Sequence, residues 1–487
     1  MINKNAPELW RDMVRLTDAS GSECIRSLRT ALYIFLQKST ANSARRQLLR
    51  MVKSMGPLLP MQRSPLPVVA KGRLAFCFAH RTPANLGNLL PVAREAARRG
   101  MLGGIVAAAD CRDELSEFVG QAPIVTPRSL AAQIGLGQRY GIRAEALRVF
   151  VTLSEIVSNY DIHLASRLRS NMGALVAEIT TSLEMSAGLK TLFRAWSPSC
   201  VISTTDLWPL EFQFACQASS LDIPSVVIQH GAPDESGWPF EADHWVVWGE
   251  TFKNQMTQLG APSDRLLIGG MPASDAVFQS RRVDRNRNSA QRSEPPVCLI
   301  LSHAHGRRTE PEAFDCFKKV LPEIIRSTPH VTWKVKLHPA EDDMFYREMG
   351  DDVMRRLKIY PRTTSLADAL GNADVVTTLF STSGVDAMIY GSPLIILNVS
   401  LRVKQLAWWP ELGGGVYADN AREFRQRLDD LLTIPQCRAR QLESQEIFLE
   451  RSFANRGHAS EAIIDLLTQP AILGRQRRTV LTGGSLL

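Results

Sequence analysis

The chain has 487 residues, 45% apolar and 22% charged, with a formal charge of +8. That length exceeds one ordinary core and points to two or three domains of globular composition. The basic balance favours anionic ligands or surfaces but does not by itself identify nucleic acid, and none is expected as a partner. Eight cysteines lie scattered, without a Cys-x-x-Cys pair or zinc-ligand spacing, so reduced thiols and a cytoplasmic location are expected.

Residues 1–70 carry eleven Lys/Arg against four acids, nearly the whole basic surplus. They read as a helical extension, with an amphipathic face at Ile25, Leu28, Leu32 and Phe35. Two roles stay open for it: packing on the main body, or peripheral contact with an anionic membrane surface on its inner face. The first apolar patch, residues 31–36, is short and late for a signal peptide. No run reaches the ~18–20 apolar residues of a membrane span.

From residue 71 to 278 strands and helices alternate, which implies a parallel sheet. Apolar runs at 74–79, 103–109, 123–126, 200–203, 225–229, 243–249 and 265–268 are the expected strands, and residues 128–196 are a helical insertion. The glycines at 135, 137 and 141 mimic a dinucleotide fingerprint, but the spacing is one residue too long and no strand precedes them. Residues 279–296, rich in arginine and ending in Pro295-Pro296, form a linker. A second α/β half follows over 297–470, with strands at 297–301, 331–337, 358–360, 374–378 and 394–398 and helices over 420–432 and 440–467. Residues 471–487 read as a disordered tail. The fold class is therefore α/β: two Rossmann-like domains facing a cleft, with a helical N-terminal extension.

The residues suited to chemistry sit where strands end. Lys336-Leu337-His338-Pro339 closes a strand, so a cation and an imidazole meet at its C-terminal edge, where they can hold a phosphate. A packed loop histidine beside a surface lysine is the alternative. Ser381-Thr382-Ser383-Gly384 opens a helix after another strand and offers N–H and hydroxyl donors to an anion, with Asp386 one turn on for ribose hydroxyls. Simple N-capping is the alternative there. His303 and Arg307, after the strand at 297–301, are further phosphate candidates. In the first half His230 ends a buried strand and is a candidate base, with His80 and Asp206 as rivals. The chain has no Asp-x-Asp pair to hold a cation under a diphosphate, so metal-independent chemistry is expected.

Taken together, Gln229-His230-Gly231, Gly270-Met271-Pro272 with Asp275, the Lys336–Pro339 run and the 381–387 run resemble GT-B-fold glycosyltransferases of bacterial surface and capsular polysaccharide synthesis, related to the CDP-glycerol glycerophosphotransferases. The resemblance covers about residues 73–467. It implies a transferase that moves a sugar from a nucleotide-sugar donor to a glycan or lipid-linked acceptor, with inversion and with no cofactor besides that donor substrate. By the same resemblance His338 and residues 381–383 would hold donor phosphates, Asp386 would bind the ribose, and His230 would be the acceptor-side base or orienter. Leu379 and Phe380 depart from the glycerophosphotransferase pattern of aspartate then aromatic, as does the lack of a tryptophan before His230. A polyol-phosphate transferase, a non-hydrolysing nucleotide-sugar epimerase and a catalytically silent nucleotide-binding scaffold remain as alternatives.

Overall fold

Five consecutive apolar residues, Leu74–Phe78, form β1, and all five are buried. A strand covered on both faces needs such a run, because its side chains alternate between two cores. Leu74, Phe76 and Phe78 enter one cluster with Val92, Ala96 and Ile105. Ala75 and Cys77 enter the other with Leu192, Phe193 and Phe214. The structure is a computed structural model. It describes residues 72–160, 172–233, 241–280, 295–303, 311–338, 341–361 and 363–473, with isolated positions at 17, 26, 67, 69, 166, 169 and 170. Apart from the isolated positions, the N-terminal extension lies outside the described residues, as do most of the linker and the tail beyond residue 473. Pro470–Leu473, where the sequence reading starts a disordered tail at 471, is a helical turn whose Ile472 is buried in the first core.

β1 belongs to a seven-stranded parallel sheet in the order β3-β2-β1-β4-β5-β6-β7, the other members being β2 (Leu102–Ala107), β3 (Ile124–Val125), β4 (Cys200–Ser203), β5 (Ser225–Ile228), β6 (His244–Val247) and β7 (Leu266–Ile268). A short helix, Pro127–Ala132, and two helices of 25 residues, Leu136–Tyr160 and Met172–Trp196, are described between β3 and β4. The first of the two long helices runs through the glycines at 137 and 141.

A second parallel sheet has six strands in the order β10-β9-β8-β11-β12-β13: β8 (Val297–Leu301), β9 (Thr332–Lys336), β10 (Leu357–Ile359), β11 (Val375–Thr378), β12 (Leu394–Leu397) and β13 (Val416–Ala418). β13 has no counterpart in the sequence reading. It is three residues long and follows three glycines, so it presents no apolar run. In both sheets the chain builds outward on one side of its first strand and then returns to the other. Each sheet therefore has a switch point, between β1 and β4 in one and β8 and β11 in the other, where the loops at the strands' C-terminal ends part to leave a crevice.

The chain divides into two compact units, and the division differs from the sequence boundaries of 278 and 470. The first unit holds the chain up to Val247, Gln255–Pro272 and everything from Ser460; the second holds Trp248–Asn254 and Ala273–Ala459. Trp248 and Phe252 join the second because they pack on Phe453 and Trp408, with ring centroids 5.4–5.7 Å apart. The helix expected over 440–467 is broken at 453–458, where Asn455 and Gly457 adopt positive φ. Beyond the break, Ala459–Leu467 buries Ile463, Ile464 and Leu467 in the same core as Leu74 and Phe76. Its apolar periodicity announces a helix but not which sheet receives it.

Among the described residues no helix is long and apolar enough to cross a membrane.

Candidate functional site

In the second unit the expected donor-binding residues gather at the C-terminal edges of β8, β9 and β11. Lys336 ends β9 partly buried, and that burial lowers its pKa. His338 is exposed two residues on. Its loop is held by a residue the sequence reading missed, Glu341, which is 5% exposed. The Glu341 carboxylate accepts from the His338 backbone N–H at 3.1 Å and from Ser302 Oγ at 2.9 Å. Tyr346 in turn donates to Ser302 Oγ at 2.6 Å, and the Glu341 N–H donates to the His338 carbonyl at 2.9 Å. Glu341 thus ties the β9 loop to the β8 loop. Its only trace in the sequence is an acid three residues after a histidine.

The turn after β11 is tighter than expected. Ser383 N–H donates to Ser381 Oγ at 3.3 Å, Gly384 N–H to the Ser381 carbonyl at 2.8 Å, and Val385 N–H to the Thr382 carbonyl at 2.9 Å. The sequence reading took these amides as free for an anion. In the structure they close the turn that starts the helix Ser383–Ile389. Ser381 is buried, its own N–H donating to Thr378 Oγ1, whereas Thr382 and Ser383 are partly exposed. Gly384 packs so close to β12 that a Cβ would come within 3.2 Å of Leu394.

Asp386 is the outstanding group here. Burial pushes its carboxyl up to about 7, and among the described residues no donor or cation pairs with it. An ionisable group half removed from water and left without a partner is a mark of a binding site rather than of a stabilising contact. His303 has a different place: it is buried, with its ring 4.2 Å from that of Phe380. Its visible contacts are aromatic packing at the β8–β11 switch point. Pro339 and Arg307 lie outside the described residues.

In the first unit His80, Asp206 and His230 follow β1, β4 and β5, three adjacent strands, so all three stand on one edge of the sheet. His230 Nδ1 lies 2.7 Å from the Thr204 carbonyl. A carbonyl can only accept, so Nδ1 carries the hydrogen and the lone pair of the neutral ring sits on Nε2. That tautomer suits a base. Thr204 also donates through Oγ1 to Asn85 Oδ1 at 2.5 Å, and Asn85 Nδ2 donates to Thr82 Oγ1 at 2.5 Å. This chain of contacts fixes the β4 edge against the start of the helix Pro83–Arg98.

Asp206 does not fit the role of base. It is 0% exposed, and its Oδ2 accepts from the backbone N–H groups of Glu241 and Ala242 at 2.7 and 2.8 Å. Burial pushes its carboxyl up to about 7. Closed off from any substrate, it anchors the segment leading into β6. His80 is partly exposed, with Nε2 3.2 Å from Glu211 Oε1 and the Trp208 ring edge-on at 5.3 Å. Glu211, Thr204 and Asn85 were not legible as site residues, because nothing in their local sequence distinguishes them from a helix start or a loop polar residue. Among the described residues no group of three or more His, Cys, Asp or Glu is placed to hold a metal ion.

The sequence matches no protein-family model and no curated protein. Solved structures do match. The MnaA–UDP complex of S. aureus is 15% identical, covering 82% of this chain and 97% of that one, with a TM-score of 0.52. A putative UDP-N-acetylglucosamine 2-epimerase of Listeria monocytogenes is 13% identical over 81% of this chain and 95% of its own, with a TM-score of 0.52. The glycotransferase of kitacinnamycin is 13% identical over 82% and 99%, with a TM-score of 0.50. At such identities the likeness is one of fold, and the fold is GT-B: two parallel-sheet α/β domains, here of seven and six strands.

Proposed function

We propose that the chain is a nucleotide-sugar enzyme, and specifically a glycosyltransferase that delivers a sugar to a surface polysaccharide or glycolipid acceptor. The observation that carries this reading is the unpartnered Asp386 carboxylate one turn into the helix after β11, at the switch point of the second sheet. A carboxylate there accepts hydrogen bonds from a ribose diol, and Lys336 and His338 on β9 stand ready for the phosphates. In this reading an acceptor oxygen attacks the anomeric carbon and gives its proton to a general base, a role for which His230, with its lone pair on Nε2, is the candidate. The bond from that carbon to the nucleotide diphosphate breaks, its electron pair leaves with the phosphate, and the Lys336 ammonium and an N–H of the His338 imidazole meet the charge that develops.

A second reading, nucleotide-sugar epimerisation, is favoured by the UDP-N-acetylglucosamine 2-epimerase named among the similar structures. One experiment separates the two. Sugars linked to UDP, GDP, CMP and CDP are screened for thermal stabilisation of the protein, which ligand binding to the native state produces. The stabilising donor is then incubated with and without glycan acceptors. Nucleotide release that requires an acceptor supports transfer, and conversion of the sugar without release supports epimerisation. Stabilisation by none of the donors would overturn both.

A further inference from the structure

Glu211 stands in the first turn of the helix Pro209–Ser219 with its side chain 1% exposed. Its Oε1 faces His80 Nε2 at 3.2 Å, and no donor among the described residues makes a well-aligned hydrogen bond to either oxygen. A carboxylate shut away from water persists as an anion only against a cation. The nearby arginine, Arg81, is paired with Glu114 instead. The thiols of Cys77 and Cys111 stay neutral beside the pair, both pushed up by burial.

We propose that Glu211 is a positioning residue that keeps the His80 imidazole doubly protonated, so that His80 donates its outward N–H to an oxygen of the acceptor while His230 alone removes the proton. The part about the acceptor rests on the transferase reading; the protonation of His80 does not. The opposite environments of the two rings support the division. His230 gives Nδ1–H to a carbonyl, which leaves a lone pair on Nε2. His80 instead faces carboxylates. Burial by itself would lower its pKa, but the close Glu211 carboxylate, with the charge of Asp110 beyond, outweighs burial and raises it.

The test is a nitrogen-detected NMR titration of the imidazoles without substrate, in the full chain and in Glu211→Gln and Glu211→Asp, with the His80 signal assigned from His80→Gln. His80 should remain an imidazolium at neutral pH and titrate above the ordinary histidine value of about 6.5. Glu211→Gln should move its midpoint down, because burial then acts against a weaker opposing charge, and Glu211→Asp should recover part of the shift. A His80 ring that is neutral at pH 7 in the unmutated chain overturns the proposal, whether or not Glu211→Gln folds. So does a midpoint that Glu211→Gln leaves in place. Failure of the transferase reading would leave the titration unchanged, so the two stand separately.

Discussion

Asp386 and Asp206 are both carboxyls whose burial raises them to about 7, yet their surroundings assign them opposite work. Asp206 has two backbone donors on one oxygen; Asp386 has none. Asp206→Ala should leave two buried amides without an acceptor, costing about 1–3 kcal/mol each. Urea denaturation should read that loss, while turnover of the folded fraction stays near the starting level. Loss of turnover without loss of stability would return Asp206 to the list of bases. Asp386→Asn should instead weaken donor binding about 10- to 150-fold, the effect of about 1.5–3 kcal/mol for hydrogen bonds to a charged group, as read by calorimetry. The pH dependence has a definite sign. The ionised form of Asp386 accepts from hydroxyls, so donor affinity should rise with pH through about 7 and then level off. Protein stability should move the other way. A carboxyl raised in the folded state stabilises it fully below the unfolded value of about 3.9, and the contribution is lost as pH climbs through about 7. Glu178, likewise raised to about 7 by burial, acts in the same direction.

At the scale of elements, twelve of the thirteen strands lie where the sequence placed them, most as continuous apolar runs and β9 as an alternating one. The thirteenth escaped because three residues after a glycine run carry no pattern. The ends of the strands were legible too, and with them the places of Lys336, His338, Asp386 and His230 at or just beyond the sheets' C-terminal edges. What the sequence could not show was the second layer that holds these residues: Glu341 under His338, Glu211 behind His80, and the Asn85–Thr204 contact that orients His230. Asn85 and Thr204 are 119 positions apart, and Glu341, although close to His338, matters because it also reaches Ser302 39 positions away; such contacts depend on which loops the sheet order brings side by side. The Ser381 turn was legible as a helix start but not as one whose amides satisfy each other. Glu341→Ala should release the β9 loop from Ser302 and lower donor affinity while leaving the β8–β9 pairing intact. Hydrogen exchange confined to residues 337–342 would confirm it, and exchange spreading into β9 would contradict it.

For the molecule as a whole, the crossing of the C-terminal segment back to the first sheet governs stability. Ile463, Ile464 and Leu467 are 0% exposed in the core beneath β1. Ile464→Ala should cost about 2–5 kcal/mol, and it should do so in the melting of the first unit rather than the second. Domain-resolved proteolysis distinguishes the two, and equal destabilisation of both units would count against this partition. The basic residues 1–70 yield a separate prediction. If they bind anionic surfaces, the chain pellets with phosphatidylserine vesicles at low salt, and removal of those residues abolishes it.

The same crossing sets a timetable for synthesis. Domains made at the front of a chain usually fold before the rest has left the ribosome, at about 5–20 residues per second. Here β7 ends at Ile268, but the helix that closes the first sheet begins only at Ala459. At that pace the first unit waits roughly 10–40 s with one flank of its core uncovered. The second unit, nearly continuous from Ala273 to Ala459, is complete before the first can finish. The later half of the protein is thus ready earlier. A ribosome stalled before residue 459 would therefore leave the part of the first core that Ile463, Ile464 and Leu467 cover open to holdase chaperones.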